Sequence, residues 1–123
     1  LGVIGRTTET MAVMYAGRFV ERGETRHLLT SMAHPYSRGL YRAMPQHAPR
    51  SDHPASQRPR LPTMKGGVPD PLSPAKGCAF SSRCRHVEED CRTGVPPLTG
   101  IGPNHHVACH HPQAGERPSE AIH

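Results

Sequence analysis

Met11-Ala12-Val13-Met14-Tyr15-Ala16-Gly17-Arg18-Phe19-Val20-Glu21 is the stretch on which the fold turns. Its first five residues form a short apolar run. Ala16-Gly17-Arg18 reads as a turn, with Gly17 free to take a positive φ. Phe19-Val20-Glu21 resumes an extended pattern, which Arg22-Gly23 ends. This predicts a β-hairpin. Two strands alone are marginal in water, so the hairpin must lean on something else.

Two short helices are expected next. Thr25 is placed to cap one running from Arg26 to Met32, whose Leu28, Leu29 and Met32 share a face. His34-Pro35 breaks it. Pro35 suits the first turn of a second helix, Tyr36 to about Met44, with Tyr36, Leu40 and Tyr41 on one side, and Pro45 stops it. His34 stands at that helix start, where a local hydrogen bond is expected of it and not catalysis. Residues 45–60, rich in Pro, His, Arg and Ser, read as a linker. Residues 61–76 alternate isolated apolar residues with Gly and Pro, an extended wrap over a surface. Residues 77–111 hold all the cysteines, with one helical turn expected over Val87 to Cys91, and 112–123 read as a disordered tail. The fold class is α+β: a hairpin, two short helices and an irregular cysteine-rich extension.

Composition limits what such a chain does. Apolar residues make up 34% of the 123, Trp is absent, and 14 prolines and 12 glycines interrupt regular structure. A core this thin usually needs a metal, disulfides or a partner surface. The net charge of +5 comes almost wholly from arginine, Lys65 and Lys76 being the lysines. Those arginines are scattered and few aromatics accompany them, so nucleic-acid binding is not expected. No apolar run reaches the roughly 20 residues that span a bilayer, so no direct membrane insertion is expected. No signal peptide opens the chain, which favours the cytoplasm and reduced thiols. The chain starts at Leu1-Gly2-Val3 without Met, like a piece of a longer protein.

Cys78, Cys84, Cys91 and Cys109 are the four cysteines, spaced C-x5-C-x6-C-x17-C. Together they point to a shared metal or a disulfide framework, with four reduced thiols and no metal as the bland alternative; the absent signal peptide favours the metal over disulfides. Zinc usually draws two thiolates from a C-x2-C knuckle, which this chain lacks. Wide spacing suits zinc and equally a [4Fe–4S] cluster, which takes one thiolate per iron from separate loops. Gly77, Ala79 and Ala108 would let backbone approach such a cluster, and Arg83 and Arg85 would offset its charge. His105, His106, His110 and His111 flank Cys109 as reserve imidazole ligands, or as solvated histidines of a tail. The chain has no phosphate-binding G-x-x-x-x-G-K-[ST] loop, no G-x-G-x-x-G turn and no G-x-S-x-G elbow, so no catalytic residues and no enzyme activity of its own are expected.

The order of the pieces carries a resemblance. Val13-Met14-Tyr15-Ala16-Gly17-Arg18-Phe19-Val20-Glu21-Arg22-Gly23 resembles a late hairpin of the ATP-binding subunits of bacterial oligopeptide/dipeptide ABC importers. His34-Pro35-Tyr36-Ser37-Arg38-Gly39-Leu40 is similar to the H-P-Y-[ST]-R-x-L signature of that family's C-terminal extension. Gly66-Gly67-Val68-Pro69, then Gly77-Cys78-Ala79-Phe80-Ser81-Ser82-Arg83-Cys84, resembles its G-x-V-P…G-C-x-F-x-P-R-C stretch. Cys91, Pro97-Leu98 and Val107-Ala108-Cys109 continue in register. Gly5 to Thr10 departs from the pattern, and Ser82 stands where the family usually has proline.

The resemblance implies that residues 1–44 are the C-terminal remnant of an ABC ATPase domain and 61–111 the cysteine-rich extension. The Walker motifs, signature and switch histidine would lie upstream, and ATP would bind only in the intact subunit. Expected partners are a second ATP-binding subunit and the membrane permease subunits, with the protein peripheral on the inner face of the cell membrane. Some family members hold a [4Fe–4S] cluster on four such cysteines, which implies Cys78, Cys84, Cys91 and Cys109 as ligands. The alternative is a small zinc-binding interaction module touching nucleic acid through its arginines.

Overall fold

The computed structural model describes residues 3–44, 52, 54–57, 60 and 63–113. Most of the expected linker at 45–60, and the tail beyond residue 113, lie outside them. The hairpin forms as expected. Strand β1 (Thr10–Tyr15) buries Met11, Val13 and Tyr15 and exposes Thr10, Ala12 and Met14, the alternation of a half-buried strand. Strand β2 (Arg18–Glu24) returns antiparallel to it. Both residues of the turn have positive φ, 49° at Ala16 and 79° at Gly17. That conformation matches the twist of the strands it joins.

The register slips within the hairpin. Val13 faces Glu21 but Met14 faces Phe19, which leaves Val20 as an extra residue on β2. Such a bulge turns two consecutive side chains to one face. Val20 and Glu21 are both buried, and Phe19 is left 52% exposed.

A short helix α1 (Ile4–Thr7) precedes the hairpin, and helix α2 (Thr25–Ser31) follows it. Thr25 does not cap α2 as expected. It is the first helical residue, fully buried, and its hydroxyl meets that of Thr8 at 3.2 Å. Helix α3 (Pro35–Arg42) starts on Pro35 as expected and is shorter than the Tyr36–Met44 reading. The expected helical turn near Cys91 is α4 (Glu89–Thr93), displaced toward the C-terminus.

The surface on which the hairpin leans comes from its own chain. Strands β3 (Thr99–Gly102) and β4 (His105–Val107) lie in the segment expected to be irregular. They complete a four-stranded antiparallel sheet in the order β1-β2-β4-β3. Glu21, Arg22 and Gly23 pair with Val107, His106 and His105. Beyond β4 the amide of Ala108 donates to the carbonyl of the bulged Val20 at 2.8 Å.

One face of this sheet carries the core: Met11, Val13, Tyr15 and Val20 with Leu28 and Met32 of the α2 segment, and Phe80. Tyr15, Tyr36 and Phe80 form an aromatic triangle with centroids 4.7, 5.2 and 5.5 Å apart. The hairpin, the H-P-Y helix and the G-C-A-F loop therefore meet in one cluster. Phe80→Leu keeps apolar bulk but loses the ring contacts, and is expected to cost about 1–2 kcal/mol. Phe19→Leu, on the exposed side, should stay within about 0.5 kcal/mol of wild type. Urea denaturation followed by circular dichroism checks the difference, and equal effects would contradict this packing.

Candidate metal centre

Four separate elements deliver the cysteines. Cys78 follows Gly77 in a loop, and Cys84 follows the 3-10 turn Ser81–Arg83. Cys91 is buried within α4, and Cys109 lies two residues past β4. Local hydrogen bonds set these positions. The amide of Cys78 donates to the carbonyl of Cys91 at 2.7 Å, and that of Ser81 to the carbonyl of Cys78 at 3.0 Å. Gly77 is obligatory here. A Cβ on it would collide with the carbonyl oxygen of Cys91 and lie 2.6 Å from the carbonyl carbon of Arg92. Gly77 thus lets the loop backbone lie against that of α4.

All four cysteines line one small cavity, together with His34, Phe80, His86, His110 and His111. All four are free thiols. Burial pushes the thiols of Cys84, Cys91 and Cys109 up, Cys109 to about 11. The charge of the other cysteines adds to the rise in each case: Cys78 and Cys91 on Cys84, Cys78 on Cys91, and all three on Cys109. Backbone amides oppose it. The N–H of His86 donates to the Cys84 Sγ at 3.4 Å, and the backbone at His111 acts in the same sense on Cys109. A cation placed among these part-buried thiols would offset that repulsion. A bound metal inverts the balance and deprotonates its ligands.

The sulfur spacing is informative. A single zinc ion with bonds of about 2.3 Å would hold its thiolates about 3.8 Å apart. Among the described residues, the only three donors whose ligand atoms all lie within 4.8 Å of one another are Asp90, Cys91 and His111. No three of the cysteine sulfurs are that close. The Asp90–His111 contact, 2.9 Å between Oδ1 and Nε2, is an exposed ion pair. It lowers the carboxyl of Asp90 and raises the imidazole of His111.

The flanking histidines separate by position. His105 is no solvated tail residue. It is 3% exposed, and its Nε2 lies 2.7 Å from the fully buried carboxylate of Glu21. Glu21 also accepts from the amides of Ala33 at 2.7 Å and His34 at 3.1 Å. It therefore ties β2, the α2–α3 junction and β4 together. Sequence reasoning missed it, because strand alternation assigns Glu21 to the face of the exposed Phe19 and only the bulge turns it inward. The Nε2 of His110 meets the Gly94 carbonyl at 2.9 Å, while His106 is half-buried in β4.

Arg83 is held by the core. Its Nε donates to the Lys65 carbonyl at 3.0 Å, its Nη1 to the Tyr15 hydroxyl at 3.4 Å, and its guanidinium lies 6.0 Å from the centre of that ring. It clamps the segment at residues 64–65 onto the core. Arg85 acts nearer Cys84: with Arg38 and Arg42 it helps burial to hold His86 below the ordinary imidazole range.

His34 caps α3, as expected of a local hydrogen bond: its Nδ1 accepts from the Tyr36 amide at 3.0 Å. Burial lowers its pKa from 6.5 to about 4, against the raising effect of Glu21. The unfolded chain takes this proton near pH 6.5 and the folded chain only near 4. The unfolded state thus binds more protons between those values, and stability falls as the pH drops through that window. Urea midpoints measured across it should decline, and His34→Asn should flatten that slope. An unchanged slope in the variant would remove His34 as its source.

The family model of the oligopeptide/dipeptide transporter, C-terminal region, matches residues 20–91, from the bulge of the hairpin to the third cysteine. The chain belongs to this family. Its H-P-Y residues are His34, Pro35 and Tyr36, the corner of the aromatic triangle and the rim of the cysteine cavity. Among similar proteins is the probable peptide ABC transporter ATP-binding protein y4tR of Sinorhizobium fredii, 38% identical over 109 residues, 89% of this chain and 31% of that protein. The di/tripeptide transport ATP-binding protein DppF of Pseudomonas aeruginosa is 38% identical over 111 residues, 90% of this chain and 32% of that protein. DppF of Haemophilus influenzae, a dipeptide transport ATP-binding protein, is 34% identical over 111 residues. The chain spans about a third of the length of these relatives. They do not favour the separate zinc module. No described helix is long and apolar enough to cross a membrane.

Proposed function

We propose that this chain is the C-terminal extension of the ATP-binding subunit of a peptide ABC importer, a structural and regulatory region built around a four-cysteine metal–sulfur centre. Peptide transport by the whole subunit is carried over from the named relatives; the family resemblance adds a second ATP-binding subunit and permease subunits as partners, on the inner face of the membrane. ATP hydrolysis would rest on residues outside this chain, which has no phosphate-binding loop.

The observation that carries the metal–sulfur reading is the single cavity lined by all four cysteines. The donor set fits a [4Fe–4S] cluster. The four thiols come from separate parts of the chain, a backbone N–H donates to the Cys84 sulfur, and no three of the sulfurs lie within 4.8 Å of one another, where one zinc ion would hold its thiolates about 3.8 Å apart. Such a cluster, when bound, supplies cross-links between the loop at Cys78–Cys84, α4 and the end of β4. The chain's own residues do the rest. Gly77 and the Cys78–Cys91 hydrogen bond draw α4 to the loop, and Phe80 anchors that loop in the core.

Anaerobic reconstitution of the full chain with iron and sulfide tests this. About four irons and four sulfides per chain are expected, with broad absorbance near 400 nm. Replacing any one of Cys78, Cys84, Cys91 or Cys109 by Ala should lower retained iron several-fold. A colourless chain with one tightly held zinc would overturn the cluster reading. Appreciable ATP hydrolysis by the purified chain would overturn the non-catalytic one.

A further inference from the structure

His34 has a second face that capping does not explain. The residue is 1% exposed, and its two ring nitrogens have different surroundings. Nδ1 accepts from the Tyr36 amide, so the proton of the neutral ring sits on Nε2. That N–H is buried and has no hydrogen-bond partner among the described residues. Buried donors are rarely left so, because an unmade hydrogen bond forfeits hydration without return. The same residue lines the cavity that the four cysteines share. Its neighbour Phe80, 5.9 Å away between centroids, offers no acceptor. The cavity's richest acceptors are its sulfurs once they are deprotonated.

We propose that the Nε2–H of His34 donates to a sulfur of the four-cysteine centre and thereby raises the reduction potential of the bound cluster. The inference rests on the metal–sulfur reading. A hydrogen bond to a ligand sulfur draws electron density from it and favours the more negative, reduced state. The histidine of H-P-Y would then serve two masters through two nitrogens: the helix through Nδ1 and the metal centre through Nε2.

Two substitutions separate the nitrogens. His34→Asn retains a short side-chain acceptor suited to the cap position but loses the distal donor. His34→Gln reaches further with its amide N–H and forfeits the cap geometry. Both are reconstituted anaerobically in the full chain, and midpoint potentials are measured by spectroelectrochemistry beside urea midpoints. The expected pattern is crossed. The Asn variant has a more negative potential at near wild-type stability, and the Gln variant a potential near wild type at reduced stability. Loading by the Gln variant but not the Asn variant would also support the donor role. A wild-type potential in the Asn variant, as when a buried water meets Nε2, would overturn the proposal. So would loss of the cluster from both variants, which would make the ring's role packing alone. Wild-type chain that takes up no cluster would instead sink the metal–sulfur reading itself.

Discussion

Glu21→Ala should cost about 3–5 kcal/mol, the range for removing one partner of a buried charged network. In a domain whose whole stability is of order 5–15 kcal/mol, that brings the chain close to unfolding. The reason lies in what the carboxylate serves. Its Oε1 accepts from the Ala33 amide and faces the His105 Nε2, both at 2.7 Å, and its Oε2 accepts from the His34 amide at 3.1 Å. Glu21 is fully buried and His105 nearly so. Alanine leaves three donors without acceptors in a place where water does not replace them, and each carries a desolvation cost of about 1–3 kcal/mol. Glu21→Gln should cost less, because one amide oxygen remains to accept. Glu24→Ala, at an exposed position with no side-chain cap, is the control and should stay within about 0.5 kcal/mol. Denaturant midpoints, with hydrogen exchange at Ala33 and His34, read the difference. If Glu21→Ala melts like the control and keeps those two amides protected, the network does not hold the fold together.

Gly77→Ala should abolish metal loading while leaving the hairpin and α3 in place. Backbone atoms of Cys91 and Arg92 occupy the space a Cβ would need, 2.6 Å to a carbonyl carbon and 2.8 Å to a carbonyl oxygen of Arg92, and backbone has no rotamer with which to step aside. The loop and α4 must part, and the Cys78–Cys91 hydrogen bond at 2.7 Å breaks with them. Overpacking and the lost bond together amount to about 2–4 kcal/mol. The larger effect is chemical, because two of the four thiols are carried apart. Gly67→Ala is the matched control, since nothing lies within 4 Å of the added methyl. Iron and sulfide per chain after anaerobic reconstitution should fall to near zero in the first variant and stay at the wild-type level in the second. Full loading of Gly77→Ala would show that the loop and α4 need not touch to bind the metal.

Much of the architecture follows from short-range rules. The hairpin at residues 10–24 announces itself through an apolar run, a glycine turn and a second run, because strand alternation and positive φ are local properties. Pro35 marks the start of α3 for an equally local reason, its preset φ and missing N–H. The four cysteines stand out by residue type alone. Strands β3 and β4 had no such signature. Thr99-Gly100-Ile101-Gly102 is half glycine with no buried residue, and His105-His106-Val107 is three residues long. They are strands because β2 offers an edge to β4 and β4 offers one to β3.

The same division runs through the site. Residue type and spacing along the chain identify which side chains could bind a metal, since those are properties of one residue and its neighbours. They say nothing of Glu21 entering the core, His105 meeting it from 84 positions away, or His34 reaching the cysteines with an unmatched N–H. The first two depend on a bulge of one residue and on the β2–β4 pairing beside it. Burial and long-range pairing belong to the folded chain, because a carboxylate, an imidazole or a thiol acquires its role from what excludes water around it.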